Sequence, residues 1–198
     1  MKGLLTIFSI LYLSLLSATS QLSQDELDTC RIYTTLESAL ANPDDVYILK
    51  LPKIKAKEFP TEILQFKNLN VLDLSKNKLS ELPDTLASLQ QLQEIDLGKN
   101  KFEIFPVVLT QLIHLKKLTL SQNMITAIPF DINQLKDLEI LDMWSNDLYV
   151  IPDSISDLKK LKVFDLRVIQ FTETEKEHIT QLLPNTKIQF SNSCNCAH

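Results

Sequence analysis

Apolar residues recur along this chain in a fixed frame. Pairs one residue apart, Leu72/Leu74, Ile95/Leu97, Leu118/Leu120 and Leu141/Met143, each follow a further leucine: Leu69, Leu92, Leu115 and Leu138. The frame returns every 23 residues. Asn77, Asn100, Asn123 and Asn146 form one polar column, and Pro60, Pro83, Pro106, Pro129 and Pro152 another. A degenerate row opens at Val46, with Leu49 and Leu51 in place but Ile54 in the asparagine column. A last row opens at Leu161, with Phe164, Leu166 and then Ile169 where the asparagine belongs.

The alternation x-L-x-L-x predicts a short strand with leucines on one face and variable residues on the other. One such unit cannot bury its leucines alone, so rows must stack into a parallel sheet over a continuous core. The asparagine amide is placed to bond unpaired backbone in a turn, and stacked copies form a ladder. Each proline opens a descending helical turn, whose inward residues are Ile63, Leu86, Leu109, Ile132 and Ile155, then Phe66, Leu89, Leu112, Leu135 and Leu158. In front, Cys30–Asp45 predicts an amphipathic helix stopped by Asn42-Pro43. Behind, Thr172–Phe190 predicts a longer helix with a Thr172/Glu175 capping box, a turn and a last strand.

The row L-x-x-L-x-L-x-x-N-x-L-x-x-[LIF]-P-x-x-[IL]-x-x-[LF] resembles the 23-residue LPxxIxxL class of leucine-rich repeat proteins. The lead-in Thr35–Leu51 and the ending Glu175–Phe190 are similar to the caps of exported bacterial members, of leptospiral type and from Bacteroidetes. The resemblance spans about residues 30–190. It implies an α/β solenoid, a horseshoe with a concave parallel β-sheet, an N-terminal helical cap and a C-terminal cap. It also implies protein binding, on the concave face. The organisation expected is a signal peptide at 1–20, a cap helix at 21–45 and five repeats at 46–160, the first degenerate. The last repeat and cap follow at 161–190, then a flexible cysteine-containing tail at 191–198.

The variable strand residues identify a candidate surface. Val71, Glu94, Lys117, Ile140 and Val163 form one concave column. Asp73, Asp96, Thr119, Asp142 and Asp165 form the next, and Ser75, Gly98, Ser121, Trp144 and Arg167 the third. Trp144, the single tryptophan, is therefore expected beside Arg167, stacked on its guanidinium, with Ile140 and Val163 nearby. Trp and Arg are enriched at interface hot spots, so Ile140, Asp142, Trp144, Val163, Asp165 and Arg167 are the expected partner site. Cover by the tail Ser191–His198 or by a second copy is the competing reading. Like charges in adjacent strands destabilise, and the expected counter-charge is a stripe of Lys53, Lys55, Lys76, Lys78, Lys99 and Lys101. That stripe is also the alternative site, for a glycan or polyanion. No aromatics interleave the lysines, which argues against single-stranded nucleic acid.

Composition sets the remaining limits. Lys2 followed by an apolar run Leu4–Leu16 and Ala18-Thr19-Ser20 predicts export with cleavage before Gln21. The destination is periplasm, cell surface or medium, with no membrane span after removal. Cleavage takes one lysine and no acid from a chain of net charge −5, leaving −6. Two glycines exclude a phosphate loop or dinucleotide fingerprint, and no G-x-S-x-G or H-E-x-x-H occurs. His114 and His178 are expected to lack a convergent carboxylate. No catalytic residue and no cofactor are implied. Cys30 is expected too far from Cys194 and Cys196 to pair, six strands away. Cys194, Cys196 and His198 make a weak C-x-C-x-H metal or redox candidate.

Overall fold

The computed structural model describes residues 21–191. The expected signal peptide at 1–20 and the tail residues Cys194, Cys196 and His198 lie outside the described residues. Eight parallel strands follow one another in chain order: β1 Ile32–Tyr33, β2 Ile48–Lys50, β3 Val71–Asp73, β4 Glu94–Asp96, β5 Lys117–Thr119, β6 Ile140–Asp142, β7 Val163–Leu166 and β8 Lys187–Phe190. Register follows the repeat, with Leu49, Leu72, Ile95, Leu118, Leu141, Phe164 and Ile188 side by side. A parallel pair needs a crossover, and each coil supplies one through its descending segment.

Each descending segment is a 3-10 helix of five residues, at Thr61–Gln65, Asp84–Ser88, Val107–Gln111, Phe130–Gln134 and Asp153–Asp157. The column proline is its N-cap. Proline has no N–H to leave unpaired, and its carbonyl takes the first bond, as in Ile63 N to Pro60 O at 3.1 Å. Between sheet and turns runs one core in which Phe66, Phe102 and Phe164 are fully buried. Each core leucine contributes about 1.5–3 kcal/mol through burial.

The asparagine ladder closes the other rim. Asn123 Nδ2 donates to Leu97 O at 3.1 Å and Leu120 O at 2.8 Å, and its Oδ1 accepts from Phe102 N at 3.1 Å. One side chain thus ties two adjacent coils. Asn77, Asn100 and Asn146 repeat the arrangement.

The front cap differs from the single helix expected over Cys30–Asp45. That stretch contains β1, α2 (Leu36–Leu40) and a 3-10 turn, Pro43–Asp45. A separate helix, α1 (Gln24–Thr29), precedes it, started by a Ser23/Glu26 capping box. The helical reading gave way because Ile32 and Tyr33 find an unpaired strand edge at Ile48 and Leu49. Tertiary pairing there outweighs local helix periodicity. At the rear, α3 (Glu173–Leu182) carries the Thr172/Glu175 capping box and leads into β8. Among the described residues eight strands, not six, lie between Cys30 and Ser191.

Candidate functional site

The burial pattern of β3, β4 and β6 alternates, with the middle residue buried and its neighbours partly open. Val71, Asp73, Glu94, Asp96, Ile140 and Asp142 therefore share the face opposite the core. The front half of that face is polar. A cavity of about 130 Å3 over β2–β5 is lined by Lys50, Asp73, Glu94, Asp96, Lys117 and Thr119. Lys117 Nζ lies 3.9 Å from Glu94 Oε2. In the rear half apolar side chains join the charges of Asp142, Asp165 and Arg167: Ile140 pairs in register with Val163, and Trp144 stands half-buried at the end of the β6 row.

The third column is narrower than expected. Ser75 and Ser121 are buried, at 8% and 7% exposure. A Cβ on Gly98 would meet Asp96 Oδ1 at 3.0 Å and Ser121 Oγ at 3.3 Å. The column tolerates only small side chains in the first coils, and its large residues are confined to Trp144 and Arg167.

The aspartates hold backbone. Asp73 Oδ1 accepts from Ser75 N at 2.8 Å, Asp96 Oδ1 from Gly98 N at 2.8 Å, Asp142 Oδ1 from Trp144 N at 3.2 Å and Asp165 Oδ1 from Arg167 N at 3.1 Å. Each carboxylate satisfies the N–H two residues on, where the strand bends into the turn. Burial pushes the Asp96 and Asp142 carboxyls above the ordinary carboxylate value, despite these bonds.

Two expectations about charge are corrected. Arg167 does not stack on Trp144: its Nε and NH2 nitrogens bind Asp165 at 2.9 and 2.6 Å. Among the described residues the cation-π contact is Arg31 over Tyr33. A carboxylate two residues away on the same face outcompetes an indole for a guanidinium. Nor does the lysine stripe pair with the aspartates. Among the described residues Lys53, Lys55, Lys76, Lys78, Lys99 and Lys101 form no ion pair. They extend to solvent from the turn, and Lys76 acts on Asp96 only through space.

Part of that stripe has a backbone origin. Lys53, Lys76 and Lys99 share one position of the repeat with Gln122, Ser145 and Val168, and all six have φ between 54 and 63°. Each coil needs a left-handed residue just before the ladder position. The sequence offered no glycine there to mark it.

The histidines require a further correction, because each meets a carboxylate. His114 Nδ1 lies 3.3 Å from Asp137 Oδ2, and His178 Nε2 lies 3.0 Å from Asp153 Oδ1. The repeat itself brings His114 and Asp137 together, since they stand 23 residues apart. Lys160 also binds Asp137 and, with His114, holds its carboxyl below the ordinary value. Neither pair has a nucleophile beside it among the contacts described.

Sequence reasoning missed a second polar column at the strand entrances. Gln93 Nε2 donates to Asn70 Oδ1 at 2.6 Å and to Leu22 O at 2.8 Å, and Lys116 Nζ donates to Gln93 Oε1. The 23-residue spacing of Asn70, Gln93 and Lys116 was the signal available.

A family model described as leucine rich repeat matches residues 46–102, and one described as two copies of leucine rich repeats matches residues 113–160. The chain is a leucine-rich repeat solenoid. It is similar in structure to a leucine-rich repeat protein of Leptospira interrogans, with a TM-score of 0.63 and 34% identity, covering 74% of this chain and 43% of that one. The plant peptide hormone receptor RGFR1, solved in complex with RGF2, gives a TM-score of 0.58 at 26% identity, covering 71% of this chain and 23% of that one. Internalin C2 of Listeria monocytogenes shares the fold at a TM-score of 0.64 and 20% identity, covering 80% and 66%. The solenoid thus spans less than two thirds of each of these proteins. No curated protein matches it. Among the described residues no helix is long and apolar enough to cross a membrane.

Proposed function

We propose that this chain is an exported, non-catalytic interaction module of the 23-residue LPxxIxxL class, and that its concave face binds a protein partner. The site is Ile140, Asp142, Trp144, Val163, Asp165 and Arg167. The observation that carries the reading is the change of character along the concave sheet. Charges of both signs run from β3 to β7, and on β6 and β7 they are joined by Ile140, Val163 and the single Trp144. An apolar anchor beside a fixed Asp165–Arg167 pair has the composition of a hot spot, a desolvated centre with a polar rim. The receptor in complex with RGF2 supports protein recognition by this fold. The signal-like segment at 1–20 supports export.

The test is affinity capture from envelope and culture-medium fractions with purified protein. A partner retained by the wild type and by Lys101→Glu, but lost with Trp144→Ala and Ile140→Asp, supports the concave site. Equal retention by all four sinks it. The unpaired lysines favour a second reading, a polyanion or glycan site. It predicts capture that survives Trp144→Ala and falls steeply with added salt.

A further inference from the structure

Two surfaces away from the concave face complement each other. At the rear, between the β6 coil and α3, lies a cavity of about 380 Å3 whose apolar wall includes Tyr149, Val150, Phe171 and Ile179. Tyr149 is 69% exposed and Val150 44%. The cavity's acids are Glu175, in the lining, and exposed Asp153, against the lining His178; hydrogen bonds from Thr172 hold the Glu175 carboxyl below the ordinary value. Lys176 is occupied by Glu173 at 2.7 Å, and His178 faces Asp153.

At the front, Ile54 stands at the ladder position yet turns outward. It is 44% exposed, whereas Ile169 at the same position in the last coil is 6% exposed. Lys53 and Lys55 on either side have φ of 60 and 62°. Two consecutive left-handed departures from extended chain aim the intervening side chain away from the core. Left-handed backbone costs a non-glycine residue about 1 kcal/mol, and unlike the repeated strain at Lys53, that at Lys55 recurs at no equivalent residue of a later coil. The result is one aliphatic side chain among Lys53, Lys55 and Lys57, all exposed and unpaired.

We propose that the rear groove takes the Lys53–Lys57 loop of a second copy of this chain, Ile54 against Tyr149 and Phe171, and the lysines against Glu175 and Asp153. Five strand spacings of about 4.8 Å separate β2 from β7, roughly 24 Å, so the contact is between molecules. It is head-to-tail, and each copy keeps one free end for the next. One anchor and a few rim charges make a small, salt-sensitive contact. It uses neither Trp144 nor the concave face and does not rest on the function proposed for them.

The experiment is sedimentation velocity of the full-length mature protein across a concentration series at low and high salt. Concentration-dependent association is expected, weakened at least about tenfold by Ile54→Glu or by Tyr149→Lys. Both residues are exposed, so unchanged thermal melts verify that the variants fold. An equimolar mixture of the two variants restores association and stops at dimers, because each retains one intact surface. A monomer at every concentration, association that survives both substitutions, or a mixture that stays monomeric would each overturn the proposal.

Discussion

Arg167 clamps Asp165 with two nitrogens, Nε at 2.9 Å from Oδ1 and NH2 at 2.6 Å from Oδ2. The two side chains are unequal: Asp165 is 10% exposed and Arg167 54%. The exposed partner therefore neutralises a carboxylate that the fold has already taken from water. Asp165, and Asp142 through space, raise the Arg167 pKa. Arg167→Ala should lower the melting temperature, and Arg167→Lys should restore only part of it, because an ammonium cannot chelate both oxygens. Calorimetry at two salt concentrations checks this, and full rescue by lysine would count against the bidentate geometry.

Asn123→Ala should destabilise by about 2 kcal/mol. The substitution leaves the buried Phe102 N–H without its partner and removes one of two amide donors from the Leu97 and Leu120 carbonyls, which keep Asn100 and Asn146; an unsatisfied buried group costs roughly 1–3 kcal/mol. Urea unfolding reads the change as a shift in midpoint. A loss below about 1 kcal/mol would mean that water replaces the amide.

Asp142→Asn should stabilise the protein at neutral pH by about 0.5 kcal/mol. Asparagine keeps the oxygen that accepts from Trp144 N and removes a charge that burial disfavours. The sign follows from the raised folded-state pKa. Ionised Asp142 opposes folding above that value, and the penalty disappears as pH falls toward the ordinary carboxylate range. The gain from asparagine should therefore be full at neutral pH and vanish in acid. Thermal melts of both proteins across pH check it, and a gain that grows in acid would contradict the burial argument.

Val168→Asn should raise stability by about 1 kcal/mol. Val168 has φ of 63° and is 59% exposed, so a β-branched residue occupies left-handed backbone without burying its side chain. Its N–H bond to Ser191 Oγ is a main-chain contact and survives the change. Denaturant titration measures the difference. A loss of stability would show that the valine methyl groups make a contact worth more than the strain.

What the sequence determined by itself was everything that repeats. Leucine spacing, the Asn77–Asn146 column and the Pro60–Pro152 column specify strand, ladder and turn, because each coil must satisfy the same backbone and bury the same face as its neighbours. The core was legible for that reason, as was the face carrying Ile140 and Trp144. Tertiary structure alone decided what happens where repetition stops or where one side chain chooses between partners. Ile32 and Tyr33 became a strand because β2 had a free edge. Arg167 took Asp165 rather than Trp144 because the carboxylate lay nearer on the same face. Ile54 turned out and Ile169 turned in at one position of the repeat, since the front loop bends twice through left-handed backbone and the rear coil is covered by α3 and β8. Such choices depend on distances across the chain, which a 23-residue period does not encode.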